Sequence, residues 1–113
     1  MMRTIQDILK IDDHYQLDIN RQLLLKNGFS IGLSRIECRI LYYLALHLGR
    51  PVPSEQIVAY VWGDESYISK QSLYVYINRV RKHLEDDPKH PKHLLTIHGF
   101  GYILALHGTA EGS

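Results

Sequence analysis

S-K-Q-S-L-Y-V-Y-I-N-R-V-R-K-H-L, residues 69–84, is the stretch on which the fold turns. Leu73, Ile77, Val80 and Leu84 recur at i, i+4, i+7 and i+11, one apolar stripe at the helical period. Rotating about 100° per residue away from that stripe, the opposite face carries Gln71, Val75, Asn78, Arg79 and Lys82, with Tyr76 and Arg81 on the flanks. A helix is expected here with one face anchored in a core. Its other face offers amide and guanidinium groups, the side chains able to form bidentate bonds to base edges in a major groove. For such a helix taken alone, a solvated polar surface is the simpler account. The segments around it change that balance.

The chain has 113 residues, enough for one domain with a real core. No apolar run is long enough to span a membrane, and Met1–Asp13 mixes charges without a signal-peptide pattern. The single Cys38 excludes an internal disulfide and fits a reducing compartment. Its helical setting favours an inert packed thiol over a nucleophile. Net charge is only +1, which by itself announces no nucleic-acid binder. The distribution says more. Residues 70–107 hold six Lys and Arg (70, 79, 81, 82, 89 and 92) against three acids (85, 86 and 87), together with five of the seven histidines. Residues 1–69 hold seven basic and eight acidic side chains. Local patches rather than the total govern phosphate binding, so basic potential is expected in the C-terminal third.

Residues 1–33 read as short strands. Ile8–Ile11 precedes an Asp12-Asp13 turn, and Tyr15, Leu17 and Ile19 alternate along His14–Ile19 as in a half-buried strand. After Asn20-Arg21 come Leu23–Lys26, the strong hairpin turn Asn27-Gly28, and Phe29–Ile31. A small antiparallel sheet follows, with packing as its role. Ser34-x-x-Glu37 then fits a capping box. Ile36, Ile40, Tyr43, Leu44 and His47 continue at helical spacing, with Gly49 as the C-terminal cap and Pro51 as the stop. His47 suits the carbonyls at that helix end. A second helix is expected from Ser54 as N-cap, through Ile57, Val58, Val61 and Trp62, to Gly63. Residues 63–68 connect it to the 69–84 helix, a loose helix-turn-helix arrangement. Beyond a charged, proline-bearing loop, Leu94–Ile97 and Tyr102–Leu104 read as a β-hairpin around His98-Gly99-Phe100-Gly101. Leu95, Ile97, Tyr102 and Leu104 are expected to face the core. One domain over 1–107 and a flexible tail over 108–113 complete the expectation.

With the hairpin in place, the chain resembles the winged-helix DNA-binding domain of OmpR/PhoB-type response regulators over about residues 8–106. The resemblance is carried by L-S-R-I-E-C-R-I-L-Y-Y-L (33–44), G-R-P-V-P-S-E-Q-I-V-A-Y-V-W-G (49–63), I-N-R-V-R-K-H-L (77–84), D-D-P (86–88) and T-I-H-G-F-G-Y (96–102). Several linked motifs in order are far more specific than a lone helix-turn-helix. The implied fold is α+β: a winged helix-turn-helix with an N-terminal four-stranded antiparallel sheet, three helices and a C-terminal hairpin wing.

The resemblance also implies roles. The 69–84 helix would be the recognition helix, with Gln71, Tyr74, Val75, Asn78 and Arg79 toward bases. Ser72, Tyr76, Arg81, Lys82 and Thr96 would meet phosphates, which accept from Arg, Lys, hydroxyl and backbone donors. His98 and Gly99 would bring the wing to the adjacent minor groove. Asp64, Glu65, Tyr67 and Ile68 would lie in the loop that contacts RNA polymerase in activators of this family. Such domains bind direct repeats of double-stranded DNA as head-to-tail dimers in the bacterial cytoplasm. They usually follow a phosphorylatable receiver domain, which this sequence does not contain, so an excised effector domain or a receiver-less relative is expected. No cofactor, metal or membrane contact is implied.

Departures from the family pattern matter. Gln71 stands where Arg is common, Tyr74 replaces a frequent acid, and Tyr76 a frequent His. His98 replaces the usual wing Arg, and Ile103 a basic residue after Tyr102. Fixed positive charge is thereby lost, so weaker, more pH-sensitive binding and an altered target are expected. The alternative is a winged helix serving as a protein–protein interaction module with little DNA binding. Low net charge favours it; retained Arg79, Arg81 and Lys82 oppose it. A metal site from His83, His90, His93 and His98 would need a clear third ligand, and solvated loop histidines are simpler. An enzyme is the least supported class: no phosphate-cradling glycine loop, nucleophile elbow or metalloprotease helix is present. Trp62, Tyr42 and Tyr43 read as packing residues, with Tyr67 and Ile68 as exposed contacts.

Overall fold

A computed structural model describes residues 8–63 and 70–105. The expected polymerase-contact residues Asp64, Glu65, Tyr67 and Ile68, and the expected tail, lie outside them.

Four short strands open the described chain: β1 (Ile8–Lys10), β2 (Tyr15–Asp18), β3 (Leu23–Lys26) and β4 (Phe29–Gly32). They pair antiparallel in sequence order. Two of the three reversals have a clear local cause. Asp12 Oδ1 accepts from the backbone N–H groups of His14 (2.7 Å) and Tyr15 (2.9 Å), closing the first turn. Asn27 and Gly28 adopt φ of +51° and +86°, the double left-handed turn that Asn-Gly favours between twisted strands. Tyr15 and Leu17 are buried along β2 as the alternation requires, but Asp18 is buried too and Ile19 lies beyond the strand, half-buried.

Helix α1 (Arg35–Leu46) starts with a complete capping box. Glu37 N–H donates to Ser34 Oγ (3.1 Å) and Ser34 N–H to Glu37 Oε1 (2.9 Å). Its C-cap is His47 rather than Gly49. Gly49 lies two residues on, at φ +79°, and donates its N–H to Leu104 O at 2.9 Å. The His47 ring meets the helix end as expected, Nδ1 donating to Tyr43 O at 2.9 Å.

Val52–Pro53, absent from the expectation, forms strand β5. Helix α2 (Ser54–Trp62) follows at once, with Pro53 as its N-cap. Ser54 is thus inside the helix and not its cap; its N–H is already satisfied by Phe100 O at 3.0 Å. Helix α3 (Lys70–Leu84) buries the whole expected stripe, Leu73, Ile77, Val80 and Leu84.

Strands β6 (Leu94–Ile97) and β7 (Gly101–Leu104) form the hairpin, and β5 pairs with β7 to make a three-stranded sheet in the order β5-β7-β6. The register corrects the expected facing. Leu94 pairs with Leu104 and Thr96 with Tyr102, so those four share one face. Leu95 and Ile97 lie on the other, because successive residues of a strand alternate. The core-facing member of β6 is Leu94, which is fully buried. Helices α1, α2 and α3 pack on one another, β7 packs on α1 and α2, and β3 packs on α3. One apolar core joins both sheets to all three helices.

Candidate nucleic-acid interface

Burial of the α3 stripe fixes what remains outside. Gln71, Tyr74, Val75, Arg79 and Lys82 are exposed, while Ser72, Tyr76 and Asn78 are half-buried. Tyr74 and Val75 are each about half exposed, at 49% and 48%, large side chains left on a helix whose inner face is fully covered. Arg79 is not loose: its guanidinium carbon lies 5.1 Å from the centroid of the Tyr76 ring. That ring packs against Trp62 of α2 at 5.4 Å between centroids. A cation over an aromatic face is held in place while its N–H edges stay available. Tyr76 is therefore the shelf for Arg79 and is itself braced by α2.

Arg81, expected at a phosphate, is turned inward and only 5% exposed. Its Nε donates to Leu94 O (2.9 Å), Nη1 to Asn78 Oδ1 (3.1 Å) and Nη2 to Thr96 Oγ1 (2.9 Å). One turn on, Glu85 is equally buried. Its carboxylate accepts from the backbone N–H groups of Lys92 (2.9 Å), His93 (2.9 Å) and Leu94 (2.7 Å). Leu94, the first residue of β6, is thus held at its carbonyl by Arg81 and at its N–H by Glu85. The helix and the wing strand are fastened by two buried charged residues at i and i+4. Glu85 was legible only as one acid in a charged loop, since its partners are backbone groups that leave no mark in a sequence.

At the wing turn His98, Gly99 and Phe100 are exposed, and Gly99 takes φ +73°. Thr96 is exposed beside the turn while accepting from Arg81. Phe100, 45% exposed at the tip, is an apolar group the expected wing contacts omitted. Gly101 is the hinge of the arrangement. A Cβ there would stand 2.0 Å from Val52 O and 2.8 Å from Ser54 N, so only glycine lets β7 approach β5 and the start of α2. Tyr102 follows it, buried, and its phenol is pushed above the usual range by desolvation.

Behind the interface, His83 Nε2 of α3 lies 3.4 Å from Glu37 Oε1 of α1, an ion pair when the imidazole is protonated. Cys38, beside it on α1, is buried, and desolvation raises its thiol above the ordinary value, with Asp18 adding to the rise and Arg39 opposing it. His90 Nδ1 pairs with Asp87 Oδ2 at 2.9 Å, and the His93 ring packs edge-on to Tyr15. Among the described residues no group of three His, Cys, Asp or Glu side chains is arranged to hold a metal ion, and no helix is long and apolar enough to cross a membrane. On the far side of α1 the Tyr43 ring stacks on Tyr60 at 4.4 Å, and Arg39 lies over Tyr60 at 5.0 Å while donating to its carbonyl.

Residues 28–104 match the family profile described as "Transcriptional regulatory protein, C terminal". The response regulator DrrB of Thermotoga maritima, an OmpR/PhoB homologue, is similar in structure at a TM-score of 0.76 and 30% identity, over 88% of this chain and 44% of that one. The DNA-binding domain of CpxR from E. coli superposes at 0.72 with 28% identity, over 87% of this chain and 95% of that domain. The RstA DNA-binding domain of Klebsiella pneumoniae, solved with the RstA box, shares the fold at a TM-score of 0.76 and 23% identity, over 87% of this chain and 96% of that one. The chain spans less than half the length of DrrB. With the four-stranded sheet, three helices and hairpin wing all in place, the chain belongs to the OmpR/PhoB-type family of response-regulator DNA-binding domains, winged-helix transcription regulators of two-component systems rather than a class of enzymes.

Proposed function

We propose that this chain binds double-stranded DNA sequence-specifically, with α3 in the major groove and the wing at the adjacent minor groove. The observation that carries this reading is the division of α3. Its apolar stripe is fully buried, and its outward row presents Gln71, Tyr74, Val75, Asn78, Arg79 and Lys82. A helix of 15 residues is about 22 Å long, enough for one row of its outer face to read bases while the flanking residues meet the backbone. Arg79, held over Tyr76, supplies the fork that suits guanine O6 and N7. Lys82, Ser72 and Tyr76 supply phosphate donors. His98, Gly99 and Phe100 reach the minor groove from the wing tip. Loss of the usual wing arginine makes this binding weaker and more dependent on pH than a fully basic wing would.

Two copies bind head to tail on direct repeats, Asp64, Glu65, Tyr67 and Ile68 meet RNA polymerase, and the domain serves either as the effector of a longer chain with a receiver domain or as a receiver-less relative. The work is done in the cytoplasm, on the nucleoid.

Selection from a pool of random duplexes, followed by affinity measurements at several salt concentrations, tests the reading. A repeated motif, with log K falling linearly against log salt, is the expected result. The slope, about 0.9 per neutralised phosphate, counts the cations engaged. Absence of a motif together with weak binding at low salt, for the domain and for a tethered dimer alike, would instead assign a protein-binding role.

A further inference from the structure

Arg81 is chemically one-sided. A guanidinium donates and never accepts, so the atom of Asn78 that faces it is necessarily the amide oxygen, and Thr96 Oγ1 meets it as an acceptor. Both neighbours are therefore polarised. With the oxygen of Asn78 turned to Arg81 Nη1, the NH2 is the arm of its amide left for a base. Thr96, with a lone pair engaged by Nη2, has its hydroxyl proton left to give. An asparagine that recognises adenine needs both arms, NH2 on N7 and oxygen on the N6 amino group. The Asn78 oxygen keeps a second lone pair, but it is aimed at a buried guanidinium instead of lying in line with its NH2 for a base.

We infer that Arg81 is a positioning residue that turns the Asn78 amide oxygen toward the buried guanidinium, so that Asn78 meets a base with its NH2 arm and selects one presenting acceptors in the major groove (guanine N7 and O6, or thymine O4) over adenine. The same guanidinium fixes Thr96 as a donor toward the phosphate beside the wing, and through Leu94 O it sets the wing against the helix that reads the bases. Arg81 is 5% exposed, and its guanidinium is already engaged by Leu94 O, Asn78 Oδ1 and Thr96 Oγ1. This inference rests on the DNA-binding reading above.

The test compares wild type, Arg81→Lys and Asn78→Asp in selection from random duplexes, with Arg81 Nε–H exchange followed by NMR on the DNA-free protein. Lysine keeps the charge and loses the fork. Arg81→Lys is expected to relax preference at one G- or T-selecting position about fivefold or more, the worth of one well-made hydrogen bond, and to leave the salt slope unchanged. Asn78→Asp keeps an acceptor for Arg81 but replaces the NH2 with oxygen. It should abolish preference at that same position or turn it toward cytosine, whose N4 donates. Asn78→Asp also serves if Arg81→Lys unfolds, which a thermal melt reports. Slow exchange of the Nε–H supports the clamp independently of DNA.

Three results would overturn the inference while leaving DNA binding intact. They are an adenine at the Asn78-dependent position, every position within twofold of wild type in Arg81→Lys, or an Nε–H exchanging as fast as an exposed arginine. A wild-type domain that selects no motif would overturn both proposals together.

Discussion

Arg79 and Lys82 lie three residues apart on α3, both exposed, yet they are held differently. Arg79 rests over the Tyr76 ring, and Lys82 extends from the outer face with the freedom of a long flexible stem. A fork fixed in direction reads a base, whereas a mobile point charge serves any phosphate. Arg79→Ala should relax the selected motif at one position, and Lys82→Ala should leave the motif intact while lowering the salt slope by about 0.9. Titrating each variant on the selected site at four salt concentrations separates the two. His98 supplies a third case at this scale. It stands exposed at the wing tip, where a fixed cation would add one phosphate contact. His98→Arg should raise the affinity for the selected site and steepen the salt slope by about 0.9, while leaving the motif read by α3 unchanged.

Elements show where physical chemistry speaks locally and where it does not. Wing and helix are joined at Leu94 through Arg81 and Glu85, and wing and α2 are joined where Gly101 lies under Val52. Gly101→Ala places a Cβ against backbone atoms that have no room to yield. It should cost at least about 3 kcal/mol, a fall of about 1 M or more in the urea midpoint. Glu85→Gln leaves a carboxamide NH2 facing backbone donors and should cost a comparable amount, roughly 2–4 kcal/mol. Equilibrium urea unfolding followed by tryptophan fluorescence (Trp62) checks both. These joints also explain what could be foreseen. The α3 stripe, the Ser34–Glu37 box and the Asn27-Gly28 turn each depend on residues within a few positions of one another, and all three were legible. Strand β5 was not. Two residues carry no alternation, and a Val-Pro pair before a helix reads equally as a cap region. Its partners, Tyr102 and Gly101, lie at the far end of the chain. The facing of β6 failed for a related reason: in L-L-T-I either alternate set contains leucine, and only pairing with β7 decides that Leu94 goes inward. The outward row of α3 was readable as periodicity. The inward turn of Arg81 was not, because an arginine on a helix flank has the same sequence signature whether it meets phosphate or the wing.

Across the whole molecule, a net charge of +1 hides a division of labour, with the N-terminal sheet and α1 near neutral and the cations gathered on α3 and the loop leading to the wing. The core that holds these parts together also sets the pH range in which they stay assembled. Burial raises three groups above their ordinary values: the Cys38 thiol, the Tyr15 phenol (with Asp86, Asp12 and Glu85 adding to the rise) and the Tyr102 phenol. They lie on β2, α1 and β7, one in each sheet and one in the helices between. Each is an acid whose neutral form the folded state prefers. Their contribution is therefore fully present below the values they have in the unfolded chain, about 8.5 for Cys and 10 for Tyr, and is lost as pH rises toward and through the folded values. The urea midpoint should be flat from neutrality to about pH 8 and decline beyond it. Cys38→Ala lowers the midpoint at every pH through the cavity it leaves, but it should remove the earliest part of the alkaline decline, so that the curve bends only where tyrosines ionise. The same burial predicts that the native thiol reacts slowly with a disulfide reagent at pH 8 and quickly in urea. A thiol that reacts at the free-cysteine rate in the folded protein would show that α1 opens at Cys38 without unfolding of the rest, and a decline unaltered in Cys38→Ala would show that the thiol has no part in it.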